Sequence, residues 1–191
     1  MVDAIHITLS VGTKTLLNGI SLHAHAGELL VIAGPNGAGK STLLRALSEK
    51  TNLDTGCVCL NGSDLYYQDV KELSKIRAVL SQSFATGLPF QVEEIVMMGR
   101  YPYFKEHPNP EDTMIVNEVL NAMDIVGLAK RVYSTLSGGE QQRVQLARVL
   151  AQIWKIDKNE DGIVKYLFLD EPVSSLDLYH QQVVLQSTVL H

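Results

Sequence analysis

Gly34-Pro35-Asn36-Gly37-Ala38-Gly39-Lys40-Ser41-Thr42 follows the apolar run Leu29-Leu30-Val31-Ile32-Ala33 and opens what reads as a helix, Ser41 to Glu49. The pattern G-x-x-x-x-G-K-S, with a strand before it and a helix after it, is that of a phosphate-binding loop. Glycines let successive backbone N–H groups turn toward one point without a Cβ clash. The new helix adds free N–H groups and the positive end of its dipole. Lys40 can reach the β- and γ-phosphates, and Ser41 can ligate Mg²⁺. The competing interpretation is an ordinary glycine-rich turn into a helix, and the flanking elements argue against it.

The surrounding composition narrows the setting. The chain has 191 residues, 46% of them apolar, enough for one domain with a core and an inserted subdomain. A net charge of −5 with no basic block points away from nucleic acid. No apolar run approaches the length of a spanning helix, and no signal peptide is apparent. Cys57 and Cys59 point the same way on a strand but are poorly spaced for a bridge, which fits a reducing compartment. The six histidines form no ligand set by spacing.

Upstream of the loop, Val2–Ser10 reads as a strand with Ile5, Ile7 and Leu9 on one face. Gly12-Thr13-Lys14 turns it into a second strand, Leu16–Ala24. This is an antiparallel edge ahead of the phosphate loop. Downstream, Cys57–Leu60 reads as a short strand with a turn at Asn61-Gly62. Asp64–Lys75 reads as a short helix, and Ile76–Gln82 as a buried strand. Gln82 leaves that strand at the end where open α/β sheets carry their sites. It either reaches Mg²⁺ or attacking water, or simply ends the strand.

From residue 84 to 152 helical periods dominate. Val92–Met98 reads as one helix and Glu111–Val126 as another, capped near Asn109, opened by Pro110 and ended by Gly127. Tyr101, Tyr103 and Phe104 between them read as local packing. Leu136-Ser137-Gly138-Gly139-Glu140 starts a third helix, Ser137 and Glu140 forming a capping box. Ser137, Gly138 and Gly139 could admit a phosphate there, or the box could simply start the helix. Residues 154–165 read as a surface loop. Tyr166-Leu167-Phe168-Leu169-Asp170-Glu171 then reads as a fully buried strand ending in two acids. Beside a phosphate loop, Asp170 can hold Mg²⁺ and Glu171 can polarise water.

In this order these motifs resemble the ATPase subunits of ATP-binding cassette (ABC) transporters over nearly the whole chain. The resemblance implies an α/β P-loop NTPase with a RecA-like core, an N-terminal antiparallel β edge and an inserted α-helical subdomain. It divides the chain into a nucleotide-binding core with the β edge (1–83), a helical signature subdomain (84–152) and a return to the core (163–191). It implies ATP and Mg²⁺ as ligands. Gly34, Pro35, Asn36, Gly37, Ala38, Gly39, Lys40, Ser41 and Thr42 become the Walker A loop. Gln82 becomes the Q-loop glutamine, and Ser137, Gly138 and Gly139 the signature that meets the opposite subunit's nucleotide. Asp170 becomes the Walker B metal ligand, Glu171 the general base, and Ser174–Asp177 the D-loop. It also implies a head-to-tail homodimer on the cytoplasmic face of the inner membrane, coupled to permease subunits and through them to a periplasmic substrate-binding protein.

A finer resemblance, to hemin and iron-chelate importers of Gram-negative bacteria, lies in Val132–Leu136, Leu146–Gln152 and Leu176–Gln181. Met98-Gly99-Arg100-Tyr101-Pro102 is shared more broadly with siderophore and vitamin B12 importers. Two features depart from the pattern. Val11 stands where many members place an aromatic residue against adenine. The family continues past the D-loop through a helix, a strand and a switch histidine, whereas this sequence reaches His191 only twenty residues after Glu171. A crossover unit needs about a dozen connecting residues, so His191 is a weak stand-in and a core incomplete at the C-terminus is expected. The alternatives are an ABC fragment that binds nucleotide without efficient turnover, and a soluble ABC ATPase outside transport.

Overall fold

A tight hairpin begins the chain. β1 (Val2–Val11) and β2 (Lys14–Ala24) pair antiparallel, with Gly12 in the left-handed region at φ +61°. The computed structural model describes residues 1–81, 89–154 and 163–170. They fall in two compact units, Met1–Val70 and Lys71–His191.

In the first unit, β3 (Thr55–Leu60) and β4 (Ser63–Asp64) complete a sheet of order β2-β1-β3-β4. Asn61 and Gly62 join β3 to β4 with φ +52° and +77°, the positive-φ pair that a two-residue hairpin prefers. Strict alternation in β1 fails. Val2, Ala4 and Ile7 are buried and Ile5 is exposed, so Ile5 and Ile7 do not share a face. His6 takes φ +46°, and the register to both neighbouring strands slips across it. One extra residue exchanges the faces of everything after it. Opposite this bulge runs Gly56, where a Cβ would lie 2.3 Å from the Ile5 carbonyl oxygen and 2.6 Å from that of His6. Only glycine fits.

Helix α1 (Lys40–Ser48) follows, burying Ala46, Leu47 and Ser48. The strand expected at Leu29–Ala33 is not formed: the run is irregular, with Leu29, Leu30 and Val31 exposed. A strand exists only with a ladder partner, and none of the six described strands pairs with it.

The second unit contains most of α2 (Val70–Ile76), then β5 (Arg77–Leu80), α3 (Val92–Met97), α4 (Pro110–Ala122), α5 (Gly138–Ile153) and β6 (Tyr166–Leu169). The helix expected from Asp64 starts only at Val70, because Asp64 belongs to β4 and then closes a turn, its Oδ1 accepting from Tyr66 N–H and its carbonyl from Tyr67 N–H. β5 and β6 run parallel, from Arg77 opposite Tyr166 to Leu80 opposite Leu169. β6 is not fully buried as expected: Tyr166 is, and Leu167, Phe168 and Leu169 are half-buried, since β6 is paired on one side only among the described residues. Ala78 and Leu80 join Val92, Ile95, Ile115, Val119, Val144 and Leu146 in one core.

A charge is buried in that unit. Arg100 follows α3 in a single turn of 3-10 helix (Met98–Arg100). Its Nε donates to Asp112 Oδ1 at 2.9 Å, its Nη1 donates to the Ala151 carbonyl at 2.9 Å, and its guanidinium lies 3.7 Å above the Tyr103 ring. The two side chains are 4% and 1% exposed, so nearly all of the pair's stabilisation must come from these partners. Asp112 also completes the cap of α4, accepting from Asn109 N while its own N–H donates to Asn109 Oδ1. Gly99 lets α5 approach, since a Cβ there would stand 2.1 Å from the Arg148 carbonyl oxygen. Met98–Pro102 thus has a packing role. The aromatic cluster beside it is likewise packed locally, with Tyr101 edge-on to Phe104 at 5.5 Å and the Tyr103 hydroxyl donating to the Gln152 carbonyl at 2.8 Å.

Helix α4 ends before Gly127. Asp124 turns left-handed at φ +53°, its N–H donating to the Asn121 carbonyl and that of Ile125 to the Leu120 carbonyl, each at 3.0 Å. This is a Schellman end, closed by the buried pair Leu120 and Ile125.

Removing one member of a buried ion pair typically costs about 3–5 kcal/mol. Asp112→Ala, which strips both the pair and the cap, is expected to destabilise the protein by about that much. Asn109→Ala, which removes the cap alone, should cost about 1 kcal/mol. Urea unfolding followed by circular dichroism checks the order of the two.

Candidate functional site

The phosphate-binding loop is exposed except at its C-terminal end. Gly37 and Gly39 take φ +80° and +90°, conformations that favour glycine. Gly39 is the N-cap of α1, with no side-chain cap hydrogen bond, and its α-carbon backs onto β2, where an added Cβ would meet the Leu16 carbonyl oxygen at 3.2 Å. The Ala38 N–H donates to the Pro35 carbonyl at 3.2 Å and closes the turn. Across this turn the Lys40 ammonium donates to the carbonyls of Gly34 and Pro35, at 2.9 and 3.0 Å. The lysine is held over the loop by the loop's own backbone. Gly34 through Thr42 thus form one turn and the start of α1, without the strand expected before them. Val11 sits at the end of β1, 65% exposed, beside the Gly12 turn of the same unit.

The second unit holds the other described candidates. Ser137 caps α5. Its hydroxyl and its N–H both donate to Glu140 Oε2 at 2.7 Å, and the Glu140 N–H donates back to Ser137 Oγ at 3.4 Å. Gly138 and Gly139 form the first two positions of the helix. Among the described residues, apart from its chain neighbours and its own helix backbone, no heavy atom lies within 4 Å of a Cβ built on Gly138, so the helix start is open to approach there. The Ser137 hydroxyl first, then its N–H, with Arg131 and Arg143 behind them, hold the Glu140 carboxyl below its usual range. Arg131 Nη1 stands 3.7 Å from Glu140 Oε1. Neither arginine is evident from the motif, although Arg143 lies three residues after Glu140 and so on the same helix face.

Asp170 directly follows β6. Its N–H donates to the Leu80 carbonyl at 3.0 Å, carrying the parallel ladder one step past the strands. The acid therefore leaves the sheet beside the end of β5, two residues before Gln82. Gln82, Glu171, Ser174–Asp177 and His191 lie outside the described residues. Among the described residues no helix is long and apolar enough to cross a membrane.

Residues 17–174 match the ABC transporter family. The chain is 48% identical over 181 residues to the hemin import ATP-binding protein HmuV of Enterobacter cloacae, covering 95% of this chain and 66% of that protein. It is 43% identical over 185 residues to HmuV of Gloeobacter violaceus, covering 97% and 66%. The chain thus spans just under two thirds of the length of these relatives. Among solved structures, it is similar to a dimeric ATP-binding cassette in a post-hydrolysis state with ADP and phosphate, at TM-score 0.77 and 26% identity over 97% of this chain and 80% of that one. A nucleotide-free cassette at TM-score 0.81 and 20% identity, covering 99% and 76%, shares the fold. The RecA-like P-loop fold with an antiparallel β sheet and a helical subdomain is the one expected from the sequence.

Because the folded carboxyl of Glu140 titrates below its unfolded value, its contribution to stability is present above the unfolded value and is lost as pH falls through the folded one. Ser137→Ala is expected to return that titration toward the ordinary glutamate range, measurable by carboxyl carbon-13 NMR, and to flatten the acid limb of the stability profile.

Proposed function

The chain belongs to the ABC transporter family, and from that premise we propose that it binds and hydrolyses ATP to power import of hemin, or another iron chelate, through a membrane permease. The observation that carries the nucleotide part is the loop at residues 34–42. Its helix opens without a side-chain cap, and its lysine is already drawn over the loop mouth by two carbonyls. Both features suit an incoming phosphate, which would take the ammonium from the carbonyls and accept from the helix's first N–H groups.

In this reading Lys40 binds the β- and γ-phosphates, and the backbone of Gly34–Thr42 cradles them. Val11 offers an aliphatic surface to adenine. Ser41, Asp170 and Gln82 would hold Mg²⁺, whose chemistry is to neutralise charge on the phosphates. Glu171 takes a proton from the attacking water. Ser137, Gly138 and Gly139 meet the nucleotide held by a second copy in a head-to-tail homodimer. For Ser137 this requires its hydroxyl to turn from Glu140 toward phosphate, while its N–H stays on the carboxylate. The subunit works peripherally at the cytoplasmic face of the inner membrane, and the periplasmic binding protein is reached only through the permease. The hemin assignment is supported by the similarity to HmuV proteins.

The exposed run Leu29–Val31 favours a second reading, in which the chain binds nucleotide but turns it over slowly by itself. Fluorescent-nucleotide binding and phosphate release separate the two. Lys40→Ala is expected to weaken MgATP binding at least tenfold, and Glu171→Gln to keep binding while turnover falls at least a hundredfold. Unchanged binding in Lys40→Ala would sink the site assignment. Turnover in the wild type no faster than in Glu171→Gln would select the second reading. Hemin-stimulated phosphate release with the permease in proteoliposomes tests the cargo.

A further inference from the structure

The end of β2 carries a cluster of ionisable groups that the nucleotide chemistry does not use. His23 in β2 and His25, the first residue past its end, are two residues apart and both exposed. His23 Nε2 lies 3.4 Å from His25 Nδ1, and the two rings meet edge to face. The other nitrogen of His23, Nδ1, is hydrogen-bonded to the carboxylate of Asp3, which faces it across the β1–β2 pair. Glu28 folds back on the same turn, its carboxylate accepting from the His25 N–H at 2.8 Å and its own N–H donating to the His25 carbonyl at 3.3 Å.

This arrangement fixes a tautomer. A carboxylate is an acceptor only, so neutral His23 carries its proton on Nδ1 and presents the Nε2 lone pair outward. A ligating imidazole braced in this way by a carboxylate is the usual support of a zinc-bound histidine. The spacing is within reach of one ion. Two nitrogens each about 2.05 Å from one ion stand about 3.3–3.4 Å apart at a tetrahedral angle, against about 2.9 Å at a square-planar right angle. The observed 3.4 Å leaves both nitrogens close enough to reach one tetrahedral ion once the rings turn. The ring centroids, now 4.3 Å apart, would open by about 1 Å as both lone pairs turn onto a shared ion. Both rings are exposed, which leaves them room to turn.

We propose that His23 and His25 form a two-imidazole site for a tetrahedral divalent transition ion of the Zn²⁺ class, with Asp3 as the positioning residue. Among the described residues no three His, Cys, Asp or Glu side chains converge on one point, so the protein supplies two ligands and water fills the remaining positions. With only two protein ligands and open positions left to water, this is a surface site and not a closed structural one. It is independent of the nucleotide reading, and its test uses no nucleotide.

The test titrates ZnCl₂ into the full chain in chelator-free buffer, with a chromophoric chelator for affinity and long-range nitrogen-15 NMR of the imidazoles for location. The expected result is one equivalent bound, with shifts at His23 Nε2 and His25 Nδ1. His23→Ala or His25→Ala should weaken binding at least tenfold, and Asp3→Asn by about ten- to a hundredfold. His107→Ala, in the other unit, should leave it unchanged. Affinity unaltered in His25→Ala overturns the proposal. So does loss of binding on replacing Cys57 and Cys59 by serine with both histidines intact, since the thiols would then be the ligands. Imidazole shifts that follow pH but not Zn²⁺ overturn it as well, leaving a proton-sharing pair only.

Discussion

A guanidinium withdrawn from water can persist only if every face of it is answered, and Arg100 is answered from three directions. Asp112 at the start of α4, the Ala151 carbonyl near the end of α5 and the Tyr103 ring each take one side of it. Tyr103 and Asp112 lie within twelve residues of Arg100, whereas Ala151 is fifty-one residues away on α5. The cost of leaving the charge unpaired therefore fixes where the segments meet. The same carboxylate starts α4, so helix initiation and helix placement depend on one residue. Gly99 next to it admits the α5 backbone. The apolar core around Ile95, Val119 and Leu146 stabilises the unit without directional preference, and the ion pair supplies the direction.

What was legible in the sequence is what is decided locally. The phosphate loop, the capping box at Ser137, the Asn61-Gly62 hairpin and the Pro110 helix start each depend on a few neighbouring residues whose backbone preferences agree. The features that escaped depend on partners elsewhere. Ile5 and Ile7 alternate correctly for a flat strand, yet the bulge at His6 separates them, and what accommodates the bulge is Gly56, fifty residues on. Gly127 is a reasonable helix stop, but Asp124 stops α4 first because Leu120 and Ile125 are buried together there. Leu29–Ala33 has the composition of a strand and, among the described residues, no strand paired with it. In the candidate site, the residue types were readable from motifs, whereas the grip of Arg131 and Arg143 on Glu140 was not, because neither belongs to the motif.

His23 and His25, at the end of β2, show the same division from the other side. Their spacing of two is visible in the sequence, but it says only that they are close in the chain. Asp3, brought alongside by the hairpin register, is what orients one ring and gives the pair a chemistry.

The hold that Gly34 and Pro35 keep on Lys40 has a thermodynamic consequence. Capture of a phosphate at this loop is an exchange, in which the ammonium gives up two carbonyl acceptors as it gains anionic ones. The heat of association is therefore a difference between two sets of charge-assisted bonds, smaller than a count of contacts in the bound state would suggest. The loop's own backbone already holds the ammonium in place, so the lysine need not be searched for when a ligand arrives. Much of the conformational entropy of that long side chain is lost during folding, before any nucleotide is present.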